Sequence, residues 1–300
     1  MRPVSGDQDF QRNIDAAVVK GFGHEWSQYD QMPLSENELR EIFTRYFEIF
    51  PWESLPVDAC GFDLGCGSGR WARFVAPRVS RLVCIDPSPE ALAVAGKNLA
   101  DHPNVEFVHG SAGALIFEPD HFDFGYCLGV LHHTPDPIAG LKDAVRVLKP
   151  GAPLLVYLYY ALENRPRWFR AVWRMTDALR RLICRLPLRL RSTVCNLIAA
   201  TVYLPIAHLA LFAERRGADV ESFPLAFYRH RSFYVMRTDA LDRFGTRLEH
   251  RFTRSETVAM MEASGLEDMV VGESAPFWRA VGFKRRPDVS GSAPPGTGAG

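Results

Sequence analysis

Short apolar runs alternate with stretches of helical spacing through the first half of this chain. Runs at 59–64, 82–85, 105–109, 122–128 and 154–159 read as strands. Segments at 70–76, 89–98 and 138–147 between them place apolar residues on one helical face. Strands apolar on both faces and separated by helices predict a parallel sheet covered on both sides, an α/β arrangement. Upstream, Leu39, Ile42, Phe43, Tyr46, Phe47 and Phe50 form a stripe on a helix over 36–50, opened by the capping box Ser35 and Glu38 and closed by Pro51. The alternation stops between about 164 and 236. It resumes with a helix at 254–264 and strands near 269–271 and 280–283.

The expected organisation is an N-terminal arm and helix (1–50), a core (51–160), an insertion (161–237), the C-terminal part of the core sheet (238–286) and a Pro/Gly/Ser-rich disordered tail (287–300). Residues 1–20 are weakly patterned, whereas 21–30 are aromatic enough to be ordered against something.

Charge sharpens this division. The chain balances 35 basic against 35 acidic residues, but the balance is an average of unlike parts. Residues 161–237 hold fourteen arginines, no lysine and five acids, a net +9 that the rest of the chain offsets. Such asymmetry suggests an anionic partner for the insertion. The six cysteines form no CxxC pair and fit buried thiols in a reducing compartment. No basic region leading into an apolar run opens the chain, so no secretory signal is expected and the location expected is cytoplasmic.

The run FDLGCGSGR, residues 62–70, carries the most chemistry. It follows a predicted strand and opens a predicted helix, with Gly65, Gly67 and Gly69 at alternate positions. That is where doubly wound sheets bind nucleotide-like ligands. The third glycine of a dinucleotide loop, counted from Gly65, falls on Arg70, and Asp63 precedes the first glycine. Both features argue for a cationic ligand over a pyrophosphate.

This run, with VCIDPSPEAL and FDFGYCLGVLHH after it, resembles the class I S-adenosylmethionine-dependent methyltransferases. The likeness covers residues 58–160 and resumes near 252 with FTRSETVAMMEASGL. It implies a Rossmann-like, doubly wound, seven-stranded sheet with one antiparallel strand, here carrying an α-helical insertion before the last strands, and S-adenosyl-L-methionine as cofactor. The cofactor-binding positions it implies are Asp63 for the ammonium end, Gly65, Cys66, Gly67 and Gly69 for close backbone approach, Asp86 at the ribose, Ser111 and Ala112 at the adenine with Pro87 on its edge or serving only the turn, and Leu128 beside the methionine part. Ser111 departs from the acid that many relatives carry there. His132 is the candidate catalytic base, with His133, Tyr157, Tyr159, Tyr160, His24 and Glu25 as further candidates. Phe22, Trp26 and Tyr29 either form a lid over the cofactor or dock the arm. No HxxH or paired-carboxylate cluster argues for a metal.

Residues 192–213 hold no charged side chain and reach transmembrane length. Strands on both sides of this segment argue against a single crossing. Three readings stay open: a buried helix pair broken near Pro205, a membrane-interface surface with arginines on anionic head groups, and a dimer contact. The acceptor expected is a small or lipid-like molecule. RNA or protein acceptors, or a cofactor-binding module without turnover, are the alternatives. The NPPY-type tetrapeptide of many amino-group nucleic-acid methyltransferases is absent.

Overall fold

The computed structural model describes residues 13–30, 35–220, 223–274 and 278–287. The expected tail, apart from Pro287, lies outside the described residues, as does most of the weakly patterned start. The sheet is built from β1 (Cys60–Leu64), β2 (Arg81–Asp86), β3 (Val105–His109), β4 (Phe124–Leu128), β5 (Pro153–Tyr157), β6 (Leu266–Val271) and β7 (Arg279–Lys284). Its order is β3-β2-β1-β4-β5-β7-β6. The first five strands pair in parallel and β7 runs antiparallel to both neighbours. The order reverses between β1 and β4, and this opens a crevice at their C-terminal ends.

Period-two burial builds two core layers. Phe62, Leu64, Val83, Ile85, Leu154 and Val156 face one side. Leu82, Cys84, Phe124, Tyr126 and Leu155 face the other. The first side is covered by α5 (Pro137–Arg146) and α10 (Arg254–Ala263), through Leu141, Ala144, Met260 and Met261. The second is covered by α2 (Glu36–Phe47), the short α3 (Ala72–Val75) and α4 (Pro89–Asn98). Gly61 and Gly125 stand opposite Phe124 and Phe62 in the register of β1 and β4, and each leaves room for the ring across from it.

The arm is more regular than its pattern suggests: Ala16–Gln28 is a helix, α1, capped by Asp15, whose carboxylate accepts from the amides of Ala17 and Val18. Between β5 and α10 lies a helical annexe of α6 (Arg167–Ile183), α7 (Leu188–Ile198), α8 (Leu204–Arg215) and α9 (Phe233–Gly245). It has its own core of Ile183, Cys195, Ala199, Tyr203, Ala207, Met236, Leu241 and Phe244. Helix α9 runs through residue 237, where the charge pattern set the end of the insertion. The helix expected to break near Pro205 instead continues from Leu188 to Arg215. A π turn at Ala199–Tyr203 joins its halves just before Pro205, and the widened turn accommodates the hydrogen bond that proline cannot donate. Because β1–β5 precede this helix and β6 and β7 follow it in the same sheet, it cannot cross a bilayer once with the sheet intact.

Candidate functional site

The glycine loop bends sharply back over β2. Gly65, Gly67 and Gly69 all have positive φ, at +77°, +55° and +76°. The Gly65 and Cys66 amides donate to the Ile85 carbonyl at 2.7 and 3.1 Å. The Gly67 amide donates to Asp86 Oδ2 at 2.9 Å, and the Ser88 amide to Asp86 Oδ1 at 2.8 Å. Asp86 therefore ties the loop to the end of β2. The cap of α4 is Ser88, whose hydroxyl accepts from Ala91.

Of the loop residues expected to meet the ligand, Gly65 reaches the cavity described below. Gly67 is covered by the Trp26 indole, within 2.8 Å of where a Cβ would sit, and Gly69 by Leu99 at 2.7 Å. Cys66 is buried, its thiol toward the Gly67 carbonyl. Two of the three glycines thus allow close packing by protein where open backbone was expected. At Gly65 a Cβ would run into the Val130 side chain in a left-handed conformation. Gly65→Ala is expected to cost about 2–4 kcal/mol, combining backbone strain with overpacking, measurable by urea unfolding.

Asp63 also lies behind the wall. It is 1% exposed and its Oδ2 has no hydrogen-bond partner among the described residues. Burial pushes its carboxyl up to about 8, against the pull of the Tyr126 hydroxyl; the Asp86 charge adds to the rise and Arg70 opposes it. An acid whose folded pKa exceeds its unfolded one holds its proton in the fold, so stability falls as pH rises between about 4 and 8. Asp63→Asn is expected to flatten that decline, gaining more in melting temperature at pH 8 than at pH 5.

A cavity of about 350 Å³ occupies the crevice. One end is walled by Gly65, Asp86, Pro87, Ser88, Ser111, Ala112, Leu128 and Gly129, all but Gly65 from the ends of β2 and β4 and the loop after β3. Burial raises the Asp86 carboxyl to about 6, while the Ser88 and Gly67 amides pull it down. A carboxylate offers about four acceptor positions, and the two amides leave capacity for a diol. This end fits a ribose and an adenine. It has no acid after β3, as Ser111 foretold. Helix α1 covers it, presenting Val18, Phe22 and Trp26 from one face. Tyr29 points elsewhere, accepting from Arg237 and donating to Asn196 at 2.8 Å. Helix α1 thus covers the cavity with one face and docks on the annexe through Tyr29.

Asn13 escaped the sequence reading. Its side chain donates to the Ala112 and Asp136 carbonyls at 2.9 and 2.8 Å and accepts from the Asp136 amide at 2.6 Å. It clamps the arm over the β3 loop. The only local signal is Asp15, a helix cap two residues on.

The other end of the cavity is polar and comes largely from the annexe. Thr238, Asp239, Asp242 and Arg243 line it from one face of α9, joined by Tyr203, Tyr228, Arg251 and the tyrosines 157, 159 and 160. Tyr228 donates to Asp239 at 2.9 Å, and the Tyr159 hydroxyl donates to Asp242. Glu25 is on this wall, and burial followed by the Asp242 charge holds its carboxyl well above the usual range. Burial lifts Asp239 to about 6.

His132 is not on the wall. It is fully buried, stacked on Tyr159 at 3.8 Å, with neither ring nitrogen hydrogen-bonded among the described residues. Burial, then the neighbouring His133, drives its pKa well down. The turn Leu131–His133 swings the next side chain inward, so His133 takes the position expected of His132. His133 Nδ1 lies 2.7 Å from the Leu248 carbonyl, a contact that requires the proton on Nδ1 and leaves the Nε2 lone pair free. Nε2 is 3.7 Å from Asp242 Oδ1. Burial lowers the His133 pKa and Asp242 works against that. Of the other candidates, Glu25 and the three tyrosines reach the cavity, whereas His24 lies in a separate recess beside Arg191.

Residues 62–156 match the family described as "Methyltransferase domain". The chain is 38% identical over 161 residues to a ubiquinone biosynthesis O-methyltransferase of Pseudomonas fluorescens, an alignment covering 51% of this chain and 65% of that one. It is 33% identical over 131 residues to a 2-phytyl-1,4-naphtoquinone methyltransferase of Thermosynechococcus vestitus, covering 41% and 58%. The chain thus spans roughly three fifths of the length of these relatives. In fold it is similar to a Haloferax volcanii methyltransferase solved with the Trm112 methyltransferase activator, with a TM-score of 0.50 at 16% identity over 90% of this chain and 98% of that one. Motif order, strand order and these matches agree: residues 62–156 form a methyltransferase domain of the class I, S-adenosylmethionine-dependent kind.

Proposed function

We propose that this protein transfers a methyl group from S-adenosylmethionine to a hydroxyl oxygen of a small aromatic, lipid-like acceptor. The observation that carries this reading is His133, whose free Nε2 faces a tyrosine-lined cavity beside Asp242. The cofactor, when bound, supplies a methyl group already activated on a sulfonium. The protein's part is then to hold the acceptor in line, take its proton and keep water out. His133 Nε2 accepts the acceptor's hydroxyl proton as the new C–O bond forms and the methyl–sulfur bond breaks. Asp242 steadies the resulting imidazolium, and Tyr159 holds Asp242 in place. Phe22 packs on His133 at 5.1 Å and, with Trp26, screens the site from solvent.

The relatives named for ubiquinone and a phytyl naphthoquinone support an aromatic acceptor with an apolar tail. That Tyr203, Tyr228 and the α9 acids line the same cavity supports a role for the insertion in shaping the acceptor end. The test is S-adenosylhomocysteine release from the purified chain with a panel of prenylated and unprenylated catechols, RNA and protein. Turnover on catechols, with the methyl group on oxygen by mass spectrometry, is expected. Turnover on RNA or protein alone, or cofactor binding with no turnover on the panel, would overturn the proposal.

A further inference from the structure

We propose that the annexe docks this protein on the surface of an anionic lipid bilayer, through the outer faces of α6 and of the helix Leu188–Arg215. This stands independently of the reaction proposed above.

Helix α6 is turned inside out relative to a soluble surface helix. Its inward face carries Asp177 and Arg180, both 6% exposed and paired at 2.8 Å, with Arg180 also donating to the Thr246 carbonyl. Its outward face carries Trp168, Val172, Met175, Leu179 and Leu182, between 44% and 74% exposed. At about 100° per residue these five fall within an arc of about 80°. A surface helix normally shows the opposite arrangement. Exposed Arg167 and Arg174 lie on one shoulder of the stripe, with exposed Arg185 just past the helix end, and none has a carboxylate partner among the described residues. Long arginine stems let apolar side chains enter a bilayer while the guanidinium stays at the head groups.

The second helix repeats the motif. It is 28 residues long, apolar enough to span a membrane, yet 28% of its apolar window is buried. Leu190, Leu197, Val202, Leu209 and Phe212 are exposed along it, and Arg215 and Arg216 close its end. Both helices pack their inner faces on α9, which leaves these outer faces without a protein partner among the described residues.

Charge selects the occupant. A second copy would bring two +9 segments together, and like charges at an interface disfavour association. A nucleic acid would answer the arginines but leave the aliphatic stripe bare. An anionic bilayer answers both at once. Lying in the interface also agrees with the shared sheet that rules out a single crossing.

The test is co-sedimentation of the full chain with vesicles of phosphatidylcholine alone or mixed with phosphatidylglycerol. Binding to the mixed vesicles is expected to be at least about tenfold tighter, and weaker in high salt. The double variant Met175→Glu/Leu179→Glu, both exposed and away from the cavity, is expected to lose vesicle binding while keeping its melting temperature and its affinity for S-adenosylhomocysteine. Equal binding to both vesicles, binding to neither, or a double variant that still sediments would overturn the proposal. So would a wild-type dimer that ignores vesicles and that the double variant converts to monomer, since that assigns the stripe to self-association.

Discussion

Replacing Asp86 by alanine is expected to weaken S-adenosylhomocysteine binding by about a hundredfold or more, read by calorimetry. Hydrogen bonds to a charged acceptor contribute about 1.5–3 kcal/mol each, and the free positions on Asp86 suit both hydroxyls of a ribose. The loss should exceed those contacts alone. The Gly67 and Ser88 amides that Asp86 now accepts would lose their partner, and the loop that carries Gly65 would loosen over the end of β2. Asp86→Asn keeps one side-chain oxygen and should fall between the two. The pH dependence provides a second reading. With the carboxyl raised to about 6, affinity is expected to hold above that pH and decline below it, as protonation removes acceptor capacity. In Asp86→Asn that decline should vanish. Unchanged affinity in the alanine variant, with the fold intact by thermal unfolding, would put the ribose elsewhere.

The parts of this site that were legible in the sequence are those that sit close together along the chain. Strand alternation placed β1, β2 and β4, the FDLGCGSGR run placed the bend between β1 and α3, and the family resemblance of these runs pointed to Gly65, Asp86, Ala112 and Leu128, all of which line the cavity. The same spacing could not say what covers the bend. Trp26 over Gly67 and Leu99 over Gly69 are tertiary contacts, and a glycine that admits a ligand looks the same in sequence as one that admits an indole. His132 and His133 differ by one residue in a turn whose rotation no periodicity sets. The acids of α9 were invisible for a related reason. Asp239 and Asp242 lie more than a hundred residues from His133, on a helix whose other face is apolar, and such acids normally mark the solvent side. Here that face meets the cavity. The pattern over 161–237 marked an insertion but not α6 within it, and the stripe of α6 predicts a face and not which side of it is wet.

The second large effect concerns that cavity end. His133→Ala is expected to lower kcat by about 10²–10⁴-fold, the usual worth of a positioned base, with S-adenosylhomocysteine affinity unchanged because the ribose end is untouched. His132→Phe, which keeps the stack on Tyr159, is expected to retain activity. The pair of variants separates a residue that faces the acceptor from one that only packs behind it. The base must be neutral to work, so kcat/KM should fall as pH drops through the His133 pKa. Burial sets that pKa below 6.5, so the acid limb belongs below that value. Asp242 stabilises the imidazolium and therefore raises the pKa. Asp242→Asn should move the limb to still lower pH, and lower the plateau because the developing positive charge loses its partner. A role for Asp242 confined to anchoring Tyr159 would lower the plateau and leave the limb where it was, and Tyr159→Phe is the control that isolates that contribution.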